Sequence, residues 1–165
     1  MPTSTRSSGA AKSFFLAGLV AGTLDMLGAI TVYVVIMKRL TTVRLLQGIA
    51  RGALGKSAFE GGTATALAGL GFHFLIAFTW AGFYILIFPH IPFLRKQKII
   101  GGLLYGAFVW CVMNLVLLPL LDVAPIPTKW DGIARGALIL MFCIGLPISL
   151  IVNRNYILKG NKKAG

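Results

Sequence analysis

Four long apolar runs, separated by short polar or basic segments, dominate the pattern of hydrophobic and polar positions in this chain. At about 1.5 Å of helical rise per residue, each run is long enough to cross a hydrocarbon core of about 30 Å. The pattern therefore predicts an all-α fold, a four-helix transmembrane bundle that forms one integral membrane domain over residues 1–165. The predicted spans cover residues 14–37, 65–88, 99–121 and 133–152.

The connection between the first two predicted spans, residues 42–60, is long and amphipathic. Its apolar side chains recur at helical spacing: Leu45, Leu46, Ile49 and Ala53. With basic residues beside them, such positions are typical of a short helix that lies at the membrane interface. We expect the glycine pair Gly61 and Gly62 to end this helix.

A seven-residue stretch, GIARGAL, occurs twice in the chain, at 48–54 and again 84 positions later at 132–138. The same offset aligns a glycine-rich stretch of the first predicted span, GLVAG, with GLLYG in the third. Two matches at one offset predict an internal duplication of a two-helix unit. Because each unit has two spans, its copies would share one orientation, related by an axis along the membrane normal.

The aligned glycines form two Gly-x-x-x-Gly pairs: Gly18 with Gly22, and Gly102 with Gly106. This spacing places both glycines of a pair on one helix face, and small residues there let membrane helices approach closely. We therefore expect all four glycines to lie at helix contacts. The first and third spans are the predicted central pair of the bundle.

Composition and charge restrict the partners. The chain is 57% hydrophobic and only 12% charged, with a mean hydropathy of +0.85, which is outside the range of soluble domains. Membrane lipids are therefore expected partners. The net charge of +12 is unevenly distributed, with more basic residues on the side of the two termini, and this predicts that both termini are cytoplasmic. Nucleic acid is not an expected partner, because the basic residues are divided between both membrane faces.

Few polar side chains fall inside the predicted spans, and these are the candidates for function. Asp25 lies near the middle of the first span, where a charged group costs about 3 kcal/mol on insertion scales. His73, Asn114 and Arg135 come from the other three spans, at depths between mid-membrane and the outer interface. The sequence thus predicts a polar cluster with one member from each span. At the offset of 84, neither Asp25 nor His73 has a counterpart, so the cluster would be asymmetric.

Structural roles are the alternative for these residues. Asp25 would then be protonated or paired with Arg135, as a device that specifies helix assembly. His73 would donate to a backbone carbonyl, and for this residue alone the structural interpretation is favoured. Arg135 and its repeat counterpart Arg51 would extend toward the headgroups. For Asp25 a functional role is favoured, because an ionisable residue at mid-membrane is by default a candidate site.

No cofactor or metal site is expected. His73 and His90 lie roughly 25 Å apart along one helix, too far to share a haem. Cys111 and Cys143 lack the CxxC spacing and are interpreted as small apolar residues rather than as a redox pair. The chain contains no HExxH, GxSxG or P-loop motif, so an intramembrane enzyme is the least supported class.

Residues 72–88, FHFLIAFTWAGFYILIF, are followed by a basic turn and by residues 97–120, QKIIGGLLYGAFVWCVMNLVLLPL. Together with a Pro-containing turn and a last span that starts with polar residues, this arrangement resembles the YagU-like family of small bacterial inner-membrane proteins. The resemblance implies a location in the bacterial inner membrane and no specific activity. His73 matches one histidine of the family. Family members often have a second histidine near the start of the last span, where this chain has Arg135.

Three hypotheses for function follow. The favoured one is a small channel or transporter for protons or small ions, with Asp25 and His73 titrating and Arg135 setting the local potential. Because four spans enclose little space, this hypothesis predicts a homo-oligomer. The alternative is a non-transporting membrane protein that binds a lipid or a membrane partner through its basic segment. An intramembrane enzyme is the third.

Overall fold

A computed structural model describes the backbone of residues 4–161 and the side chains of residues 11–155, and every regular element in this part is a helix. The predicted all-α fold is confirmed. Four helices, the first to fourth spans, are long and apolar enough to cross a membrane: Ala11–Ile36, Gly62–Ile87, Lys98–Leu120 and Trp130–Asn155. Their ends lie close to the predicted ones, because the length of an apolar run directly limits the length of a spanning helix.

Shorter elements join the spans. The connecting helix, Thr42–Leu54, follows the first span, and a 3-10 turn, Gly55–Phe59, leads from it to the second. One helical turn, Pro92–Lys96, precedes the third span. Residues 121–129, which contain no regular helix, join the third span to the fourth.

The connecting helix confirms the predicted helix within residues 42–60, but its C-terminal end was wrongly assigned. The α-helix ends at Leu54, before Gly55, which has a φ of +66°. Glycine adopts this left-handed conformation without the steric penalty of other residues, so it stops a helix readily. Gly61 and Gly62 instead precede and begin the second span.

Three spans contain π-helical segments: Ile30–Ile36 in the first, Val112–Leu117 in the third and Leu140–Gly145 in the fourth. Pro119 and Pro147 lie just after the last two of these segments. A proline has no backbone N–H and clashes with the carbonyl four residues earlier. A wider π turn ahead of each proline accommodates the missing hydrogen bond.

The spans pack in the order second, first, fourth, third. The first span lies between the second and the fourth, and the third packs on the fourth. The first and third spans are not packed on each other, so the prediction that they form the central pair is wrong. Asn155 Nδ2 donates to Ser13 Oγ at 3.0 Å, which joins the end of the fourth span to the start of the first.

Gly18 and Gly22 lie at a helix contact as predicted, but the contact is with the second span. A Cβ at Gly18 would overlap the ring of Phe78, and one at Gly22 would come 2.9 Å from the ring of Phe74. The partner of this glycine face is thus a pair of aromatic rings. Two large side chains fill the space that the two small residues leave.

Gly102 and Gly106 lie at the equivalent contact between the third and fourth spans. A Cβ at Gly102 would come 3.1 Å from the carbonyl oxygen of Gly145, and one at Gly106 would come 2.5 Å from that of Leu140. At Gly106 backbone meets backbone, whereas the atom nearest a Cβ at Gly102 would be Ser149 Cβ, at 2.8 Å. One glycine pair therefore joins the first span to the second, and the other joins the third span to the fourth. This equivalence supports the predicted duplication.

The packed core lies in the terminal half of the bundle, the half in which the first span begins and the fourth ends. Its largest fully buried side chains include Tyr84, Val109 and Ile148. The second and third spans meet here through side chains, and the Tyr105 hydroxyl donates to the Trp80 carbonyl oxygen at 2.6 Å. In the other half, next to the connecting helix, these two spans leave a space between them.

Candidate functional site

A cavity of about 630 Å³ occupies that space, between the spans and beneath the connecting helix. Most of its lining is apolar and comes from all four spans and from the connecting helix; examples are Met26, Ile49, Ile76, Met113, Leu117 and Ile144. Cavities of this size and composition are typical of small-molecule sites in proteins. The cavity is therefore the candidate functional site.

Three members of the predicted polar cluster, Asp25, His73 and Asn114, line the cavity. Arg135 is not among the lining residues. Its guanidinium donates to Asp131 Oδ2 at 2.7 Å, one helical turn earlier on the same span. The alternative pairing of Asp25 with Arg135 is therefore wrong, because Arg135 has an acid at i−4 within its reach.

His73 has the structural role favoured from the sequence. Its side chain is buried, and Nε2 lies 2.8 Å from the carbonyl oxygen of Gly22 on the first span. A carbonyl can only accept, so Nε2 carries a proton and donates. In the neutral imidazole, Nδ1 is then left as an acceptor. This hydrogen bond thus ties the second span to the first and fixes the tautomer of the His73 ring.

Asp25 lies one helical turn beyond Gly22 and so lies close to the ring of His73, with which it interacts electrostatically. Within residues 11–155, the carboxyl group of Asp25 forms neither a hydrogen bond nor an ion pair. It is also the only acidic side chain among the described residues that line the cavity. A carboxyl without a partner in an apolar cavity is available to a ligand or to a proton.

Asn114 lines the part of the cavity closer to the connecting helix and belongs to the π-helical segment of the third span. Its Nδ2 donates to the carbonyl oxygen of Trp110 at 3.1 Å. This bond orients the amide group, and the Oδ1 atom has no partner in the described part of the chain. An amide oxygen with two lone pairs is a good acceptor for a ligand.

The connecting helix forms the mouth of the cavity. Arg44 lines the cavity there, is exposed, and has its guanidinium carbon 5.2 Å from the centroid of the Phe59 ring, a cation–π geometry. One turn further along this helix, Gln47 is buried and donates from Nε2 to the Gly62 carbonyl oxygen at 3.0 Å. Gly69 of the second span lets the backbone of the connecting helix approach closely. These contacts hold the connecting helix against the second span.

The repeated arginines of GIARGAL each pair with an acid, although Arg51 lies on the connecting helix and Arg135 in the fourth span. Arg51 pairs with Asp122 at 3.3 Å, and Arg135 pairs with Asp131 at 2.7 Å. The two acids stand at the two ends of the turn DVAPIPTKWD, so each arginine holds one end of it. Exposed pairs of this kind contribute about 0–1 kcal/mol each. Their main effect is therefore to position this turn beside the connecting helix.

Sequence reasoning missed a buried polar network in the terminal half. The Tyr84 hydroxyl donates to Ser149 Oγ at 2.8 Å, and Ser149 Oγ donates to the Lys98 carbonyl oxygen at 2.7 Å. Asn153 Nδ2 donates to the Leu94 carbonyl oxygen at 3.2 Å. The available signal was the i, i+4 spacing of Ser149 and Asn153, which puts both on one helix face. The predicted fourth span ended before Asn153.

Among residues 11–155, no group of three or more His, Cys, Asp or Glu side chains could hold a metal ion. Cys111 and Cys143 are both free thiols. Comparison of the chain with protein-family models, with curated proteins and with solved structures finds no match. What the cavity could bind must therefore be inferred from the chemistry of its lining.

Proposed function

We propose that this multi-pass membrane protein binds a small lipophilic molecule in the cavity beside the connecting helix. The observation that carries the proposal is the cavity itself: about 630 Å³ with largely apolar walls and a single carboxyl group, that of Asp25. An apolar ligand would enter from the bilayer or from its surface, where lipophilic molecules concentrate. This function is close to the lipid-binding alternative from the sequence, but it uses the cavity rather than the basic segment.

The terminal half of the bundle favours binding over passage through a single chain. Tyr84, Val109 and Ile148 are fully buried there, and hydrogen bonds of Tyr84 and Tyr105 join the second span to the fourth and third spans. Packed cores of this density leave few voids larger than a water molecule. We therefore infer that the cavity is closed toward the terminal half and opens beside the connecting helix.

The first test is binding of N-phenyl-1-naphthylamine, a neutral dye that fluoresces in apolar sites, to the purified protein in nanodiscs. Ile76 lines the cavity, whereas its neighbour Leu75 is 62% exposed on the outer face of the second span. Filling the cavity with Ile76→Trp is expected to weaken dye binding by about tenfold or more, because the larger side chain occupies the volume that the dye needs. The matched Leu75→Trp should bind the dye as the wild type does. Equal binding by both variants would contradict the proposal.

Transport of protons or small ions by a homo-oligomer is a second candidate. It is favoured by the unpartnered carboxyl of Asp25 beside His73, since titratable pairs in membranes are typical of proton relays. The π-helical segments of three spans are also typical of functional sites. In proteoliposomes, Asp25→Asn is expected to abolish the pH dependence of flux. A wild type with no flux above that of empty liposomes would eliminate this candidate.

We also propose a location in the bacterial inner membrane with both termini in the cytoplasm, on the basis of the charge distribution. Lys56 and Lys96 are exposed at opposite ends of the bundle. In a variant without native cysteines, a membrane-impermeant maleimide is expected to label Lys56→Cys in intact cells and Lys96→Cys only after permeabilisation. The reverse pattern would invert the topology.

A further inference from the structure

The polar groups of the cavity lie at defined depths. Asp25 and His73 are equally far along the sequence from the ends of their spans at Ile36 and Gly62, roughly 16 Å along the helix axis. Asn114 is closer to the end of its span, at roughly 9 Å. A ligand that fills the cavity therefore meets the polar groups of Asp25 and His73 at an intermediate depth, with apolar walls toward the connecting helix and around Ile76 on the deeper side.

When Asp25 is ionised, the free polar atoms of Asp25, His73 and Asn114 are all acceptors. The carboxylate of Asp25 has no hydrogen-bond partner in the described part of the chain. The Nε2 proton of His73 is already donated to Gly22, and the Nδ2 group of Asn114 is already donated to Trp110. What remains on these two side chains is the imidazole Nδ1 and the amide Oδ1, both acceptors in the neutral side chains.

The arginine of the lining lies away from Asp25, on the side of the connecting helix. Arg44 stands at the mouth, on the connecting helix, with its guanidinium over the ring of Phe59. Asp25 lies deep in the first span, so the two charges are separated along the cavity. An ionised carboxylate without a partner is costly in apolar surroundings, and a positive charge placed beside it offsets that cost.

Beyond the level of Asp25 the walls of the cavity are apolar and aromatic. Trp80 lies one helical turn beyond Ile76 and Ala77 on the second span and lines the deep part of the cavity with them. An anionic ligand would instead be repelled by the ionised carboxylate of Asp25.

We infer that the ligand of this cavity is a lipophilic cation, an apolar molecule with one positive charge that pairs with Asp25 while its apolar groups fill the space toward the connecting helix. The inference rests on the proposed function and adds the charge of the ligand. The acceptor atom of His73 lies at the same level of the cavity as Asp25, and that of Asn114 lies closer to the connecting helix.

Two probes of nearly the same shape and opposite charge test it: tetraphenylphosphonium and tetraphenylborate. Binding of each to wild-type protein in nanodiscs of zwitterionic lipid is measured by equilibrium dialysis, with empty nanodiscs subtracted. The wild type is expected to bind the cation at least about tenfold more tightly than the anion, because a charge pair in a cavity of low dielectric is weakly screened. Asp25→Asn is expected to reduce that ratio by about tenfold.

The matched control is Asp131→Asn, which removes a carboxyl group that does not line the cavity. This variant should keep the wild-type ratio of cation to anion affinity. If the wild type binds the neutral dye and both ions without preference, the cation inference is overturned while the proposed function stands. If no probe binds, the proposed function fails as well. An equal loss of preference in both variants would also overturn the inference, since it would trace the preference to net charge rather than to Asp25.

Discussion

Gly106→Ala is expected to destabilise the bundle by about 3 kcal/mol, a large effect for one added methyl group. The new Cβ would come 2.5 Å from the carbonyl oxygen of Leu140 and 2.9 Å from its carbonyl carbon. These are backbone atoms, which cannot rotate away as the end of a side chain can. The third and fourth spans would have to separate, and packing at this contact would be lost along the helix.

Thermal unfolding of the purified protein in detergent, followed by circular dichroism, measures this effect. Gly71→Ala is the matched control, because a Cβ at this exposed position in the second span would meet no atom within 4 Å. Since alanine has a higher helix propensity than glycine, the control should be unchanged or more stable by up to about 1 kcal/mol. If both variants unfold at the same temperature, the close contact at Gly106 does not exist as described.

Ser149→Ala is expected to cost about 2 kcal/mol of stability. Ser149 is fully buried, and its hydroxyl both accepts from Tyr84 at 2.8 Å and donates to the Lys98 carbonyl oxygen at 2.7 Å. Alanine would leave the Tyr84 hydroxyl and the Lys98 carbonyl without this partner inside a packed core. Leaving such groups unpaired costs more than the bond itself contributes.

A double-mutant cycle separates the lost bond from other effects of the substitution. Tyr84→Phe removes the donor that Ser149→Ala leaves unpaired, so the double variant should be more stable than the sum of the single effects predicts. Ser57→Ala is a control at an exposed position, where the serine bonds only to the Leu54 carbonyl oxygen, and it should cost less than about 0.5 kcal/mol. Strict additivity in the cycle would show that Tyr84 and Ser149 are not coupled.

Much of the candidate site was predictable because depth in a membrane follows directly from position in a span. Asp25, His73 and Asn114 were placed near one level by counting residues, and all three line the cavity. The role of His73 was predictable as well, since a buried imidazole has few partners other than a carbonyl. Arg135 was misassigned because depth does not identify a partner. Arg135 instead pairs with Asp131, four residues earlier on the same span.

The sequence by itself determined the four spans, the connecting helix and the small-residue faces of Gly18 and Gly106, since these depend on apolar length, local periodicity and side-chain size. Only the tertiary structure decided that those faces meet the second and fourth spans, and that a cavity lies beside the connecting helix. The physical reason is that lipid is as apolar as the helices, so hydrophobicity does not select neighbours. Selection depends on matching shapes across two helices at once, such as Gly145 against Gly106, and on hydrogen bonds between residues far apart in sequence, such as Tyr84 and Ser149.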